Sequence, residues 1–138
     1  MADESSREWI EKKEDVEGKL EDVRAILRDP DDDVLQIQWA RWDEDPLDPY
    51  TTKNTLMELG YDGEDVREEL MSLEIRDYCK TVDDRKRDGS PPFQIFEKII
   101  RNRSVYIKFK ILEVNPRKKI FCMSFHFARY EVGEKPYQ

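Results

Sequence analysis

Two stretches near the C-terminal end of the chain decide its fold: SVYIKFKI at residues 104–111 and FCMSFHFARY at residues 121–130. Both are rich in β-branched and aromatic residues and alternate between apolar and polar side chains, as β-strands do. NPRKK, at residues 115–119 between them, has the composition of a hairpin loop. The sequence therefore predicts an antiparallel hairpin of two long strands.

Each predicted strand has two different sides, because successive side chains of a strand point to opposite faces. In the first strand, an apolar face alternates with a face that carries Tyr106, Lys108 and Lys110. The second strand divides into an apolar set and a set with two polar residues. The apolar set is Phe121, Met123, Phe125 and Phe127, and the other is Ile120, Cys122, Ser124 and His126.

The register of the hairpin decides which polar side chains meet. A five-residue loop would place Lys108 opposite His126, and Lys110 opposite Ser124. A three-residue loop would place Tyr106 opposite His126, and Lys108 opposite Ser124. Directly opposed side chains lie about 4.5–5.5 Å apart at Cβ. With either loop Tyr106, Lys108 and His126 converge on one face, which an antiparallel sheet can leave exposed to solvent.

Upstream of the hairpin, the apolar spacing becomes helical. In residues 7–28 apolar side chains recur every three to four residues, which predicts an amphipathic helix that ends before Pro30. Residues 34–42 are expected to form a short strand or an extended segment. Residues 43–49 are an acidic loop with two prolines.

A pair of short helices is predicted between residues 50 and 73. Thr51 or Thr52 is a suitable N-cap for the first helix, and Gly60 a suitable end. Asp62 is the expected N-cap of the second helix, and acidic side chains follow it in the first turn, where the helix dipole favours them.

The remaining segments complete an α+β pattern. Residues 75–82 are either the end of a helix or a short strand, residues 83–92 form a loop, and residues 93–100 form a strand. Because helices come first and a meander of strands follows, we expect N-terminal helices packed on one face of a small, twisted, antiparallel β-sheet.

Length and composition limit the number of domains. The chain has 138 residues, of which 38% are hydrophobic and 41% charged, so a small core lies within a strongly charged surface. We expect a single domain over residues 1–138. Residues 1–50 would be an acidic helical extension, and residues 51–138 the core.

The sequence also predicts the compartment and the absence of bound groups. The N-terminal residues lack an apolar signal region, and no apolar run approaches the roughly 18 residues of a membrane helix, so we expect a cytoplasmic protein without a membrane partner. Cys79 and Cys122 have no CxxC spacing, and the chain has a single histidine. No metal site and no cofactor are expected, and a disulfide is the less favoured alternative.

The charge is divided unequally along the chain. Residues 1–77 hold 25 acidic and 10 basic side chains, a net charge of −15, whereas residues 78–138 hold 7 acidic and 14 basic ones, a net charge of +7. This asymmetry indicates an anionic partner for the C-terminal part. Alternatively, the two parts neutralise each other within one fold. The basic run Arg85–Lys86–Arg87, near the Tyr–Lys–His face, suits a phosphodiester.

Three motifs together resemble a known family. LGYDGEDVREELMSLEIRDYCK at residues 59–80, VYIKFKI at residues 105–111 and SFHFARY at residues 124–130 occur in the order and at the spacing of the MqsR-like toxins of toxin–antitoxin systems. The resemblance covers roughly residues 55–128. It implies a RelE-like fold, metal-independent cleavage of mRNA, possession of a cognate antitoxin, and no direct binding of DNA. Residues 1–50 have no counterpart in the family.

The resemblance also implies which residues carry the activity. The family's lysine in D-(F/Y)-x-K corresponds to Lys80, and its strand tyrosine to Tyr106. Its glutamine corresponds most nearly to Gln94, with a spacing difference of one residue. Where the family has lysine in its last strand, this chain has His126, which transfers protons near neutral pH more readily than lysine. The segment between Thr81 and Pro92 departs most from the family.

The expected reaction is attack of a ribose 2′-hydroxyl on the adjacent phosphate of single-stranded RNA. Tyr106 and His126 would transfer protons, and Lys80 and Lys108 would stabilise the transition-state charge. The side chains expected to hold the RNA are Arg85, Lys86, Arg87, Gln94, Lys110 and Ser124.

The sequence is also compatible with two other classes of function. A non-catalytic module could bind RNA or a protein through the basic sheet face, while the acidic N-terminal half docks onto a basic partner or folds back over that face. An acidic interaction protein without a nucleic-acid role would show no salt-dependent RNA binding.

Overall fold

A computed structural model describes residues 7–84, 89–130 and 133–138. These residues form three α-helices and six β-strands. In chain order they are β1 Glu8–Trp9, α1 Lys13–Leu27, β2 Leu35–Ile37, α2 Thr52–Leu59, α3 Gly63–Met71, β3 Tyr78–Val82, β4 Phe93–Ile100, β5 Arg103–Val114 and β6 Arg117–Phe127. The predicted α+β class is confirmed.

The strands form one open sheet in the order β1-β3-β4-β5-β6-β2. Neighbouring strands are antiparallel, except that β2 pairs in parallel with β6. The prediction of an antiparallel sheet is therefore correct for β1, β3, β4, β5 and β6 and wrong for β2. A parallel pair needs a long connection, which the helices α2 and α3 and the strands β3 to β5 provide here.

The predicted N-terminal extension contributes both edges of the sheet. Helix α1 begins at Lys13 rather than at residue 7, because Glu8 and Trp9 instead pair with Val82 and Thr81 of β3. Strand β2 is the opposite edge. The extension is therefore not purely helical.

One core cluster contains buried side chains from all three helices and from alternate positions of the strands. Its helical members are Val16, Leu20, Val23, Leu27, Leu56, Leu59, Val66 and Leu70, and its strand members are Tyr78, Phe96, Ile100, Val105, Ile107, Phe109, Ile120, Cys122, Phe125 and Phe127. We call this cluster the main core. None of the helices in the described residues has both the length and the apolar composition that a membrane span requires.

The β5–β6 hairpin has the register of the three-residue alternative at its functional end. Tyr106 pairs with His126, and Lys108 pairs with Ser124. The turn itself has only two residues, because Val114 pairs with Arg117. A β-bulge opposite the step from Lys108 to Phe109, where Met123 of β6 is the extra residue, makes up the difference of one residue.

Because of the bulge, the side chains in the half of β6 nearest the turn point to the faces opposite to those predicted. Phe109 pairs with Cys122, and both belong to the main core together with Ile120. Phe121, predicted to share the apolar face with Phe125, instead lies opposite Lys110. The grouping of Phe121 and Met123 with Phe125 and Phe127 is therefore wrong, because a single extra residue in one strand inverts the alternation beyond it.

Helix α2 is capped as expected and is bonded to β6. The side chain of Thr51 accepts a hydrogen bond from the Asn54 amide, which identifies Thr51 as the N-cap. Thr52 is not the cap. Its Oγ1 instead accepts a hydrogen bond from the backbone N–H of Phe125 at 3.1 Å. The Oγ1 of Thr55 likewise accepts the N–H of Phe127 at 3.0 Å.

The other predicted helix boundaries are also observed. Gly60 ends α2 with φ of 70°, a left-handed conformation that glycine adopts without steric cost. Asp62 and Asp65 form a reciprocal capping box at the start of α3. Of the two alternatives for residues 75–82, the strand is correct, since a 3-10 turn at Ile75–Asp77 precedes β3.

A buried arginine joins α3 to the end of α1. Arg67 is 7% exposed, and its guanidinium donates to the carbonyl oxygens of Leu27 and Asp29 at 2.8 Å each and of Asp31 at 3.2 Å. These carbonyls lie at and beyond the C-terminus of α1, where no intrahelical donor remains. Arg67 therefore fixes the segment that leads from α1 into β2.

We expect Arg67→Ala to lower the free energy of unfolding by about 3 kcal/mol, because it leaves buried carbonyl groups without a donor. Urea denaturation monitored by circular dichroism measures this change. Arg76→Ala is the matched control: Arg76 is exposed and pairs with Glu74 at 3.3 Å, so its loss should cost less than about 0.5 kcal/mol. Equal losses for both variants would contradict the role assigned to Arg67.

Candidate active site

Most of the predicted functional residues that the structure describes lie on the sheet face opposite to the main core, which we call the second face. Its centre is a small apolar cluster of buried Cys79, Val82, Phe93 and Ile95, against which Tyr106, Phe121 and Met123 pack. The second face was expected to be polar and solvated. It is partly apolar because β3 and β4 contribute these side chains and the bulge adds Phe121.

Strand pairing aligns the polar residues of the second face in two rows. Lys80 pairs with Ile95, Ile95 with Lys108, and Lys108 with Ser124. Tyr106 and His126 form the next row. Tyr106, Lys108 and His126 are therefore neighbours, while Lys80 lies two strands from Lys108, roughly 10 Å away at Cα.

His126 is held as a neutral base. Its ring stacks on that of Tyr106 with centroids 5.2 Å apart and planes 17° apart. His126 Nδ1 lies 3.0 Å from the carbonyl oxygen of Phe127, and since a carbonyl only accepts hydrogen bonds, Nδ1 carries the proton. Burial lowers the pKa of His126 from its ordinary value, although the Phe127 carbonyl opposes this shift. In the neutral ring, Nε2 therefore carries the lone pair.

Tyr106, in contrast, keeps the proton of its hydroxyl group. Burial raises the pKa of Tyr106 to about 12, so its hydroxyl stays protonated at neutral pH. A neutral imidazole and a protonated phenol thus lie in direct contact. This pair offers one proton acceptor and one proton donor.

The two lysines of β5 differ in their partners. Burial lowers the pKa of Lys108, and its ammonium lies 4.7 Å from the centroid of the Phe93 ring. Lys110 Nζ lies at the same distance from that ring, but it is buried and contacts Asp84 and Ser90 at 2.7 Å each. Lys108 is therefore the better candidate for contact with an anion, and Lys110 anchors the segment before β4.

The remaining predicted residues are placed as follows. Lys80 is half-buried and pairs with Glu8 at 2.9 Å. Gln94 is buried on the side of the main core, and its Oε1 accepts a hydrogen bond from Thr81 at 3.0 Å, so it is not part of the second face. Ser124 is half-buried beside His126. The run Arg85–Lys86–Arg87 lies outside the described residues.

A carboxylate-rich pocket beside His126 was not predicted. It has a volume of about 320 Å³ and lies between β6 and the segment of residues 38–52. Its acidic lining comes from the predicted acidic loop: Asp43, Glu44, Asp45 and Asp48. The sequence shows these acids in the run DEDPLDP at residues 43–49. Their position beside His126 depends on the tertiary structure and could not be read from the run itself. Arg41 and Arg129 also line the pocket and pair with Asp43 and Asp48, so the acidic charge beside His126 is partly neutralised.

Neither cysteine has the properties of a reactive thiol or of a metal ligand. Cys79 and Cys122 are buried free thiols, and burial raises their pKa values to about 11 and about 12. Both are protonated at neutral pH and are therefore poor nucleophiles or ligands. Within the part of the chain that the structure describes, no three His, Cys, Asp or Glu side chains are grouped as a metal site.

Comparison with known proteins adds no family assignment. No family model matches the chain, and neither the curated proteins nor the solved structures contain a significant match.

The titration of His126 provides a direct test of this geometry. We expect a midpoint below 6.5, because burial penalises the charged imidazole. Since the chain has one histidine, a single imidazole resonance followed by NMR against pH measures it without assignment. The unfolded chain in urea is the reference, and a midpoint at or above the reference value would contradict the buried, neutral ring.

The same shift predicts how stability depends on pH. A lowered pKa in the folded state means that protonation favours the unfolded chain. The contribution of His126 to the free energy of unfolding is therefore complete above about pH 6.5, and it is lost as the pH falls through the folded pKa. Urea titrations at several pH values should show this loss for the wild type, and His126→Gln should lack it.

Proposed function

We propose that this protein is a metal-independent endoribonuclease of the MqsR-like toxin class, acting on single-stranded or translated mRNA. The observation that carries the proposal is the stacking of the His126 ring on the Tyr106 ring, with centroids 5.2 Å apart, next to Lys108. The shifted pKa values of the two side chains support a neutral imidazole and a protonated phenol. General acid–base catalysis requires such a pair, with one proton acceptor and one proton donor at the same phosphodiester.

The reaction follows from the protonation states. Nε2 of His126 accepts the proton of the ribose 2′-hydroxyl, whose oxygen attacks the adjacent phosphorus. The hydroxyl of Tyr106 donates its proton to the departing 5′-oxygen. The products are a 2′,3′-cyclic phosphate and a 5′-hydroxyl, and exchange with water restores both side chains. Lys108 stabilises the additional negative charge at phosphorus, and Lys80 does so from two strands away.

The proposal includes the finer features that the family resemblance implies. These are a RelE-like fold with the helices on one face of the sheet, a cytoplasmic location and control by a cognate antitoxin. The shared main core of the three helices and the sheet supports the first feature, because it joins α1, α2 and α3 to one set of alternating strand residues.

A second candidate is a non-catalytic module that binds RNA or a protein through the second face. It is favoured by the ion pairs of Lys80 with Glu8 and of Lys110 with Asp84, since these lysines already have partners. The acids beside His126 favour it as well, because they make phosphate binding less favourable.

Cleavage of a labelled single-stranded RNA in the presence of EDTA tests the proposal. We expect wild-type protein to give cyclic-phosphate ends. His126→Gln and Tyr106→Phe, which keep the approximate shape of the side chains, should each reduce the rate about 10²–10⁴-fold through loss of proton transfer. Lys108→Met, which keeps an unbranched side chain but removes the charge above the Phe93 ring, should reduce the rate without changing the fold.

Lys118→Ala is the matched control, because Lys118 is an exposed lysine of β6 near the hairpin turn, far from His126, and should leave the rate unchanged. The same variants are then compared on mRNA in a cell-free translation extract. RNA that is bound but left intact in both assays would reject the ribonuclease and support the binding module. Activity retained in His126→Gln would reject the assigned base.

A further inference from the structure

A groove runs along the outer edge of β2. It has a volume of about 310 Å³ and lies between the segment that contains β2 and the start of α3. Its lining consists of apolar Leu35, Ile37 and Trp39, together with Asp32, Asp62, Gly63, Glu64 and Arg67. We call it the β2 groove. We propose that an extended, basic segment of another protein binds there as an additional strand on the free edge of β2.

The first argument is the unpaired edge of the strand. Among the residues that the structure describes, β2 is the last strand of the sheet and pairs only with β6. The N–H of Gln38 donates to the carbonyl of Cys122 at 2.9 Å, so the peptide groups of Gln36 and Gln38 face β6. Those of the alternate residues Ile37 and Trp39 face outwards. An extended peptide can pair with such an edge by main-chain hydrogen bonds.

The second argument is the apolar floor beside this edge. Leu35, Ile37 and Trp39 are two residues apart, so their side chains share one side of the extended segment. Leu35 and Ile37 are half-buried and pack on the main core, whereas Trp39 is 43% exposed. Alternate apolar side chains of an added strand would cover this surface, including the exposed indole.

The third argument is the charge of the rim. Asp32, Asp62 and Glu64 surround the groove, and Asp32 and Glu64 are exposed. The one cation in the lining, Arg67, has its guanidinium bonded to the backbone carbonyls that follow α1 and to Glu64. Lysine or arginine side chains of a partner therefore fit the rim, and a nucleic acid does not.

The proposed groove is separate from the candidate active site. The side chains of Leu35 and Ile37 pack on the main core, whereas Tyr106 and His126 lie on the second face. The inference therefore does not depend on ribonuclease activity, and it can hold or fail independently of it.

A synthetic peptide with alternating lysine and valine residues is a suitable probe of the full-length protein. Titration followed by backbone amide NMR should shift the signals of Ile37, Trp39 and Gly63. A peptide of alternating glutamate and valine should not bind. A lysine–valine peptide with N-methyl groups on alternate residues should also lose binding, since it cannot donate the hydrogen bonds of an added strand.

Two substitutions separate the groove from general attraction to an acidic protein. Trp39→Ala should weaken binding about tenfold without changing the net charge. Trp42→Ala is the matched control, because Trp42 is 97% exposed three residues later, and its loss should leave binding unchanged. Asp32→Lys, at an exposed position of the rim, should weaken binding through the rim charge.

Several outcomes would overturn the inference. These are shifts confined to the acidic loop of residues 43–48, equal weakening by Trp39→Ala and Trp42→Ala, undiminished binding of the N-methylated peptide, and no binding at millimolar peptide. Thermal unfolding of each variant confirms that it is folded before its binding is compared.

Discussion

The hydrogen bonds that hold β6 between β5 and α2 are the constraint on which the rest of the structure depends. Thr52 and Thr55 of α2 accept hydrogen bonds from the backbone N–H groups of Phe125 and Phe127. The backbone on both sides of His126 is therefore fixed. β5 fixes the other edge of β6 through the Tyr106–His126 pairing. The imidazole consequently has a defined orientation against the phenol ring, as a catalytic pair requires.

The alternation of the two long strands was sufficient to predict which polar side chains meet. Tyr106, Lys108 and His126 share a face in every register that the loop allowed, and the structure brings them together. The bulge at Met123 of β6 could not be predicted in this way, because a one-residue shift depends on how both strands pack rather than on either strand alone. Its consequence is that Lys110 lies opposite Phe121 rather than Cys122.

Long-range contacts also decided the features that local patterns did not predict. Gln94 lies in an ordinary strand pattern, and only its neighbours in the fold show that its carboxamide is bonded to Thr81. The parallel pairing of β2 depends on where the chain returns after α1. Arg67 is one of many charged residues in the sequence, yet it is buried because three backbone carbonyls converge on it.

The charge asymmetry of the chain has a structural role in addition to any role in binding. Ion pairs join the basic C-terminal part to the acidic N-terminal part: Lys80–Glu8, Lys98–Glu69, Arg103–Glu58, Arg117–Asp29 and Arg129–Asp48. The two parts thus neutralise each other within one fold, which was one of the two readings of the asymmetry. Exposed pairs of this kind contribute little to stability. They do reduce the positive charge available to an anion, which leaves Lys108 as the central cation of the candidate site.

The central claim is that neutral His126 accepts the proton in RNA cleavage, and the pH dependence of kcat/KM tests it most directly. The account predicts a rate that rises with pH to a plateau, with a midpoint below 6.5 that equals the midpoint of the imidazole resonance. The plateau should extend through neutral pH, because the pKa of Tyr106 is about 12. A midpoint that differs from that of the imidazole resonance, or the same rise in His126→Gln, would contradict it.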